Sequence, residues 1–198
     1  RNANADDYYW RITQFMVPFH TLIPPQIKTG RDSDKHSYAG HVWLPIDDEK
    51  CWTFSFNCNP SRELDEQEQE IYHPRTGMWG PIDENYIPLA NKANDYLISR
   101  EVQKDYNYTG ITGIPNQDAA VQESMGIICD RTNERLGTSD KAIIAFRKRL
   151  LKMAKELEKG IEPSEASMND AYNIRSATYL ANKEISITDG SEWLTKIK

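Results

Sequence analysis

The sequence lacks any apolar run long enough to cross a membrane, and its mean hydropathy is −0.72. A membrane-spanning helix is therefore not expected. The chain also lacks an excess of basic residues, since its net charge is −6 and its pI is near 5.3. Partners such as nucleic acid and anionic lipid are disfavoured on that ground. Cysteine is scarce, and the three cysteines form no C-x-x-C pair, which predicts buried free thiols in a reducing, cytoplasmic compartment.

Several catalytic motifs are missing as well. The patterns G-x-G-x-x-G, G-x-x-x-x-G-K-[ST], H-E-x-x-H and G-x-S-x-G do not occur, so dinucleotide-binding folds, P-loop enzymes, zincins and α/β-hydrolases have no motif support. Residues 1–7 begin with Arg1 and have the character of neither a signal peptide nor a transit peptide. We therefore expect the chain to be a fragment of a longer protein.

The first third of the chain is typical of β-strands. An apolar, β-branched and aromatic stretch occupies residues 8–23, and a second occupies residues 38–46, with Val42 and Leu44 on one face and His41 and Trp43 on the other. The clearest alternation covers residues 52–58, where Trp52, Phe54, Phe56 and Cys58 alternate with Thr53, Ser55 and Asn57. These strands predict an antiparallel sheet with one packed face and one face that lines a wetter space.

Helical signals follow. An acidic run at residues 62–72 predicts a short exposed helix, and residues 73–92, rich in proline and glycine, predict an irregular connection. Asn116 is a candidate N-cap for a short helix over residues 117–125. Residues 139–159 predict the main amphipathic helix, with apolar side chains at three- and four-residue spacing and Gly160 at its end. The pattern as a whole predicts one α+β domain, with the sheet first and the long helix last.

Two groups of residues could bind metal. His36 and His41 have H-x4-H spacing, but residues five apart on a strand point to opposite faces, which disfavours a shared metal ion. Asp118 is the second candidate, because it falls in the first turn of the predicted short helix. A carboxylate in a first turn stabilises the helix dipole, and it could also serve as an oxygen ligand of iron beside two imidazoles. The pattern alone leaves both roles open.

A resemblance to a known family shifts that balance. The run Y-T-G-I-T-G-I-P-N-Q-D-A-A-V-Q-E-S-M-G-I-I-C-D-R-T-N-E-R-L-G-T-S-D closely resembles the C-terminal region of phthalate dioxygenase-like oxygenase α subunits, which are Rieske-type non-haem iron enzymes. The earlier segments W-R-I-T-Q-F-M-V-P-F-H-T-L-I-P-P and H-V-W-L-P-I-D-D-E are similar to sheet strands of the same family. The resemblance covers about residues 8–180.

The resemblance implies a helix-grip fold, in which an antiparallel sheet curves around a long C-terminal helix, and it implies that Asp118 is the carboxylate ligand of a mononuclear Fe(II). The reaction it implies is hydroxylation or O-demethylation of an aromatic acid or aryl ether with O2. A reductase and a homo-oligomer, trimeric or a multiple of that, are the implied partners. Pocket residues expected near the carboxylate are Phe19, His41, Trp43 and Asn116.

Two family features are absent from residues 1–198: the cluster motif C-x-H…C-x-x-H of the [2Fe–2S] Rieske domain and the iron-binding H-x4-H on a helix. Both precede this region in the family, so the chain is expected to be the C-terminal part of the catalytic domain. Two competing hypotheses remain. One is a stand-alone helix-grip domain that binds an apolar ligand without catalysis, and the other is an oligomerisation fragment with exposed aromatic surfaces.

Overall fold

The computed structural model describes residues 4–24, 37–73 and 77–186. Its strands are β1 (Asp7–Ile12), β2 (Gln14–Met16), β3 (His20–Ile23), β4 (Tyr38–Pro45), β5 (Cys51–Cys58) and β6 (Ala177–Asn182). Its α-helices are α1 (Glu66–Ile71), α2 (Arg100–Asp105), α3 (Ile114–Ser124) and α4 (Lys141–Leu157), with short 3₁₀ turns between them. This mixture of antiparallel sheets and a late long helix confirms the α+β class.

The contacts group the chain into two compact units, and the single domain that the sequence predicts stays a prediction. The strand unit comprises Arg1–Ile46, Cys51–Cys58 and Asn133–Lys198, and the middle unit comprises Asp47–Lys50 and Asn59–Thr132. The strand unit joins the two ends of the chain through sheet pairing. The middle unit holds the irregular connection and three of the four α-helices, and each unit is described by itself.

A four-stranded antiparallel meander in the order β2–β3–β4–β5 dominates the strand unit. Paired residues share a face and successive residues alternate, so the register defines two faces. The His41 face includes Phe15, Thr21, Ile23, Ala39, His41, Trp43, Thr53, Ser55 and Asn57. The Phe56 face includes Met16, His20, Leu22, Gly40, Val42, Leu44, Trp52, Phe54 and Phe56. The predicted alternation in β4 and β5 is confirmed.

A second, two-stranded sheet pairs β1 with β6 in an antiparallel register from Asp7 opposite Asn182 to Ile12 opposite Ala177. Two hydrogen bonds tie this part of the strand unit to the end of β3. Arg11 donates from Nη2 to the carbonyl of Pro24 at 2.9 Å, and the Ser176 hydroxyl donates to the carbonyl of Ile23 at 2.8 Å. Most of the buried residues described in this unit cluster there: Leu22, Pro24, Arg175, Ser176, Ala177 and Thr178, with Gly40 on β4 as a further one.

Helix α4 agrees closely with the predicted helix over residues 139–159. Its Phe146 ring meets the Phe15 ring edge to face, with 4.3 Å between centroids. Phe15 belongs to the His41 face, so the helix packs against the sheet at the β2 edge of that face. Phe146, Leu150 and Met153 are half-buried, and no residue of the helix is fully buried. The Phe15–Phe146 ring pair is therefore the aromatic contact by which α4 meets the sheet among the described residues.

The middle unit contains the predicted acidic helix, α1, and the helix α3, which starts earlier than the sequence predicts. Asp65 caps α1, with Glu68 closing the capping box, and the helix buries none of its residues. The short helix predicted at residues 117–125 begins earlier, at Ile114, with Gly113 as N-cap and proline in the first turn. Asn116 is therefore not the N-cap, because proline needs no amide partner there and extends the helix toward the N-terminus.

Two further expectations can be compared with the structure. All three cysteines are free, as predicted, but Cys51 and Cys58 are exposed and Cys129 is half-buried, so their predicted burial is wrong. Both exposed thiols lie at the ends of β5, where the sheet gives no cover. Among the described residues, no helix combines the length and apolarity that a membrane span requires.

Candidate functional site

Helix α3 starts at a tight approach of backbone segments. Gly113 has φ of +85°, and a Cβ atom there would lie 2.7 Å from the carbonyl oxygen of Met78. Asn116 donates from Nδ2 to the carbonyl of Thr112 at 3.0 Å, and the same nitrogen lies 3.1 Å from the position of a Cβ atom on Gly80. The Asn116 amide thus lies close to both glycines, and a side chain at either position would contact it. Its predicted contact with substrate stays a prediction.

Asp118 is the fifth residue of α3, one position beyond the first turn. The sequence placed it in that first turn, where it would neutralise the helix dipole; the earlier start at Ile114 moves it away from the free amides. The side chain is exposed, and no described residue donates a hydrogen bond to it or pairs with it. Its carboxylate is consequently open to a ligand from outside the described residues.

A strained segment holds the far end of the same helix. Asp95, Tyr96 and Leu97 are three consecutive non-glycine residues with positive φ, between 52° and 55°, which costs free energy that surrounding contacts must offset. One such contact is the Tyr96 hydroxyl, which donates to the carboxylate of Glu123 on α3. Burial of the phenol, together with the hydrogen bond to Glu123, raises the pKa of Tyr96 to about 12.

In the strand unit, three predicted pocket residues lie next to one another. The amide of Trp43 donates to the carbonyl of Phe19 at 3.1 Å. The rings of His41 and Trp43 lie 5.4 Å apart on the His41 face, and His41 Nδ1 lies 3.0 Å from the Ser55 hydroxyl. Aromatic, imidazole and hydroxyl groups thus share one patch of sheet. Asn116 and Asp118 belong to the middle unit.

The sequence did not single out three residues of the strand unit whose polar side chains stand out in the structure. Both amide atoms of Asn57, the Nδ1 atom of His20 and the Nε1 atom of Trp10 are buried without a hydrogen-bond partner among the described residues. Buried polar atoms of this kind are uncommon and call for an explanation. Asn57 was visible in the sequence only as a polar member of an alternating strand, and nothing in that pattern marks an unsatisfied amide.

A metal centre needs several ligands at once. Among the described residues, no three His, Cys, Asp or Glu side chains are placed to hold one ion. His36, one half of the H-x4-H spacing, lies outside the described residues. The hard carboxylate of Asp118 suits iron(II) as one ligand of a set of two histidines and one carboxylate, and the two imidazoles of such a set are not supplied by the described part of this chain.

Comparison with protein families identifies the class. Residues 1–192 match the model of the family described as LigXa C-terminal domain like, and the chain belongs to that family. The resemblance to the C-terminal catalytic region of Rieske oxygenase α subunits is thereby confirmed. It was carried by the run around Asp118.

Two curated relatives agree with this assignment. The chain is 36% identical over 153 residues to the phthalate 4,5-dioxygenase oxygenase subunit of Pseudomonas putida, covering 76% of this chain and 32% of that protein. It is 30% identical over 200 residues to the 3-chlorobenzoate-3,4-dioxygenase oxygenase subunit of Comamonas testosteroni, covering 92% of this chain and 44% of that protein. The chain therefore spans less than half the length of either relative.

Proposed function

We propose that this chain is the C-terminal part of the catalytic domain of a Rieske-type aromatic ring-hydroxylating oxygenase. The observation that carries the proposal is an exposed carboxylate, Asp118, without a partner among the described residues, in the family segment that resembles the iron-ligand region. The two relatives, both named as dioxygenase oxygenase subunits, support the same activity. The proposal includes a helix-grip fold, in which the antiparallel sheet curves around α4.

Asp118 has the role of carboxylate ligand in this proposal. The two histidine ligands and the Rieske domain lie in a part of the protein outside residues 1–198. A bound iron(II) would supply the activation of dioxygen. What this chain contributes is a single oxygen ligand on a helix whose start is fixed by Gly113 and whose far end is held by the Tyr96–Glu123 hydrogen bond. The [2Fe–2S] cluster and a reductase complete the electron supply of the proposed enzyme, which we place in the cytoplasm as a homo-oligomer.

The substrate class is an aromatic acid or aryl ether. Phthalate and 3-chlorobenzoate, named in the two relatives, are both aromatic carboxylates. Phe19, His41 and Trp43 are the proposed pocket residues of the strand unit, since an indole and an imidazole on one sheet face can contact an aromatic ring. Asn116 is the proposed pocket residue of the middle unit. Hydroxylation and O-demethylation are both within this proposal.

The test replaces Asp118 with alanine in the full-length protein. Turnover is measured with phthalate, 3-chlorobenzoate and 4-methoxybenzoate, together with iron content and the visible spectrum of the [2Fe–2S] cluster. The expected result is loss of product and of mononuclear iron while the cluster spectrum is retained, because one of three ligands is missing. Asp105→Ala is the matched control, since Asp105 is also an exposed helical carboxylate of the middle unit. Retained turnover in the Asp118→Ala protein would refute the assignment.

A further inference from the structure

The amide of Asn57 lies near the end of the edge strand β5. Its Nδ2 and Oδ1 atoms are both buried, and neither has a hydrogen-bond partner among the described residues. An amide in this state has lost its water without gaining a replacement, which is unfavourable unless a ligand restores the hydrogen bonds. Both ends of one side chain are affected, so rotating the amide by half a turn does not remove the problem.

The surroundings of Asn57 indicate what such a ligand would be. Asn57 belongs to the His41 face, where its directly paired neighbour is the small side chain of Ala39. Ser55, two residues earlier on the same face, is paired with His41, whose ring lies 5.4 Å from that of Trp43. The face therefore carries an indole, then an imidazole with its hydroxyl partner, and then the unsatisfied amide. An apolar end and a polar end along one row suit a flat ring that bears a polar substituent.

We propose that Asn57 binds the carboxylate of the aromatic substrate, with Nδ2 donating to a carboxylate oxygen and Trp43 contacting the ring. This inference rests on the proposed function, because it assigns a residue to the substrate class named there. A carboxylate accepts the two N–H donors of the amide, and its charge strengthens those hydrogen bonds. The Oδ1 atom would then accept from a water molecule that enters with the polar group.

His20 also has an unsatisfied buried nitrogen, but it does not belong to this row. It pairs with Met16 and Val42 on the Phe56 face of the sheet. Trp10 has an unsatisfied Nε1 atom as well, but it lies on β1 in the two-stranded sheet. Among these three residues of the strand unit, the proposal therefore concerns Asn57, on the sheet face where His41 and Trp43 lie.

The experiment measures binding by titration calorimetry in the full-length protein with benzoate and with methyl benzoate, which has the same ring but no charge. Asn57→Leu is nearly isosteric and removes both hydrogen-bonding groups. We expect it to weaken benzoate binding about 10- to 100-fold, the usual cost of losing hydrogen bonds to a charged group, and to change methyl benzoate binding by less than about threefold. Asn57→Asp places a negative charge beside the carboxylate and should weaken benzoate binding still further. Asn85→Leu, at an exposed turn, is the matched control and should leave both affinities unchanged.

The melting temperature separates this proposal from a purely structural role. Replacing an unsatisfied amide with an apolar group of equal size leaves folding stability unchanged or higher, so Asn57→Leu should melt no lower than the wild type. Equal weakening of both ligands together with a lower melting temperature would overturn the proposal, as would unchanged affinities. Failure of the wild-type protein to bind benzoate would overturn it too. Benzoate binding requires neither dioxygen nor a reductase. Failure of the Asn57 proposal in the binding assay is therefore distinguishable from failure of the proposed function in the Asp118→Ala turnover assay.

Discussion

Gly40 is the position where the sheet tolerates a side chain least. It lies on β4 between β3 and β5, and an ideal Cβ atom there would lie 2.4 Å from Cζ of Phe56 and 2.5 Å from the carbonyl oxygen of Thr21. The first neighbour is the far end of a side chain and can move, but the second is backbone in a hydrogen-bonded strand and cannot. The Phe56 ring covers the glycine and occupies the space that a side chain would need.

We therefore predict that Gly40→Ala lowers the stability of the protein by about 1–3 kcal/mol, the usual cost of inserting a methyl group into a closed contact. At about 2–4 °C per kcal/mol for a protein segment of this size, the melting temperature should fall by roughly 2–12 °C. The measurement is thermal unfolding of the 198-residue chain, followed by circular dichroism.

Two companion variants make this prediction specific. Gly137→Ala is the matched control, because a Cβ atom there meets only the Asp140 carboxylate at 3.9 Å, and the substitution should be neutral or slightly stabilising. In the double variant Gly40→Ala/Phe56→Leu, the penalties should not add, since the smaller side chain relieves one of the two clashes. A Gly40→Ala protein that melts within 1 °C of wild type, on the scale of about 2–4 °C per kcal/mol, would refute the packing argument.

Three further predictions concern ion pairs, pH and metal. Glu134→Gln should cost about 1 kcal/mol by thermal unfolding, because the Glu134 carboxylate accepts two hydrogen bonds from the partly buried Arg147, whereas Glu156→Gln, in an exposed pair, should cost less than about 0.5 kcal/mol. The pKa of Tyr96 is raised to about 12 in the folded protein, so the phenol loses its proton at a lower pH in the unfolded protein. The difference in melting temperature between wild type and Tyr96→Phe should therefore be constant below pH 10. It should disappear as the pH rises through about 12. A pH-independent difference would contradict that pKa. Calorimetric titration of the isolated 198-residue chain with Fe(II) should show no saturable binding below about 1 mM, because one carboxylate does not complete a metal site. Tight binding would contradict the argument that this chain supplies only one of three iron ligands.

The strands that the sequence predicted well are those whose pattern and partner are both local. β4 and β5 form a hairpin, and their alternation alone defines the two faces. The pattern of residues 8–23 predicts one continuous stretch, yet it forms three strands. The break at Thr13 separates β1 in one sheet from β2 in the other, and the turn at residues 17–19 separates β2 from β3. β6 was not predicted at all. Its partner β1 lies at the other end of the chain, so a local pattern carries no information about the pairing.

The site was predicted from a different kind of information. Asp118 came from the family resemblance, and His41 and Trp43 came from alternation in β4, which the ring contact supports. Asn57 could not be found in either way. Its unsatisfied state depends on which groups surround it in three dimensions, whereas the sequence shows only that a polar residue occupies a strand. The exposure of Leu44, Trp52 and Phe54 on the Phe56 face was equally hidden, because alternation predicts a face but not what covers it.

The position of Asp118 bears on the two roles that the sequence left open. A structural role required it to lie in the first helical turn, where free amides and the helix dipole favour a carboxylate. The helix begins at Ile114, so Asp118 lies past those amides, and its side chain is exposed without a partner among the described residues. In the iron-free protein its removal should then cost less than about 0.5 kcal/mol of stability, as for an ordinary surface residue. Loss of product in Asp118→Ala, with an unchanged melting temperature of the iron-free protein, would therefore reflect a lost ligand. A lower melting temperature of the iron-free protein would return the residue to a structural role, because lost iron binding cannot account for it.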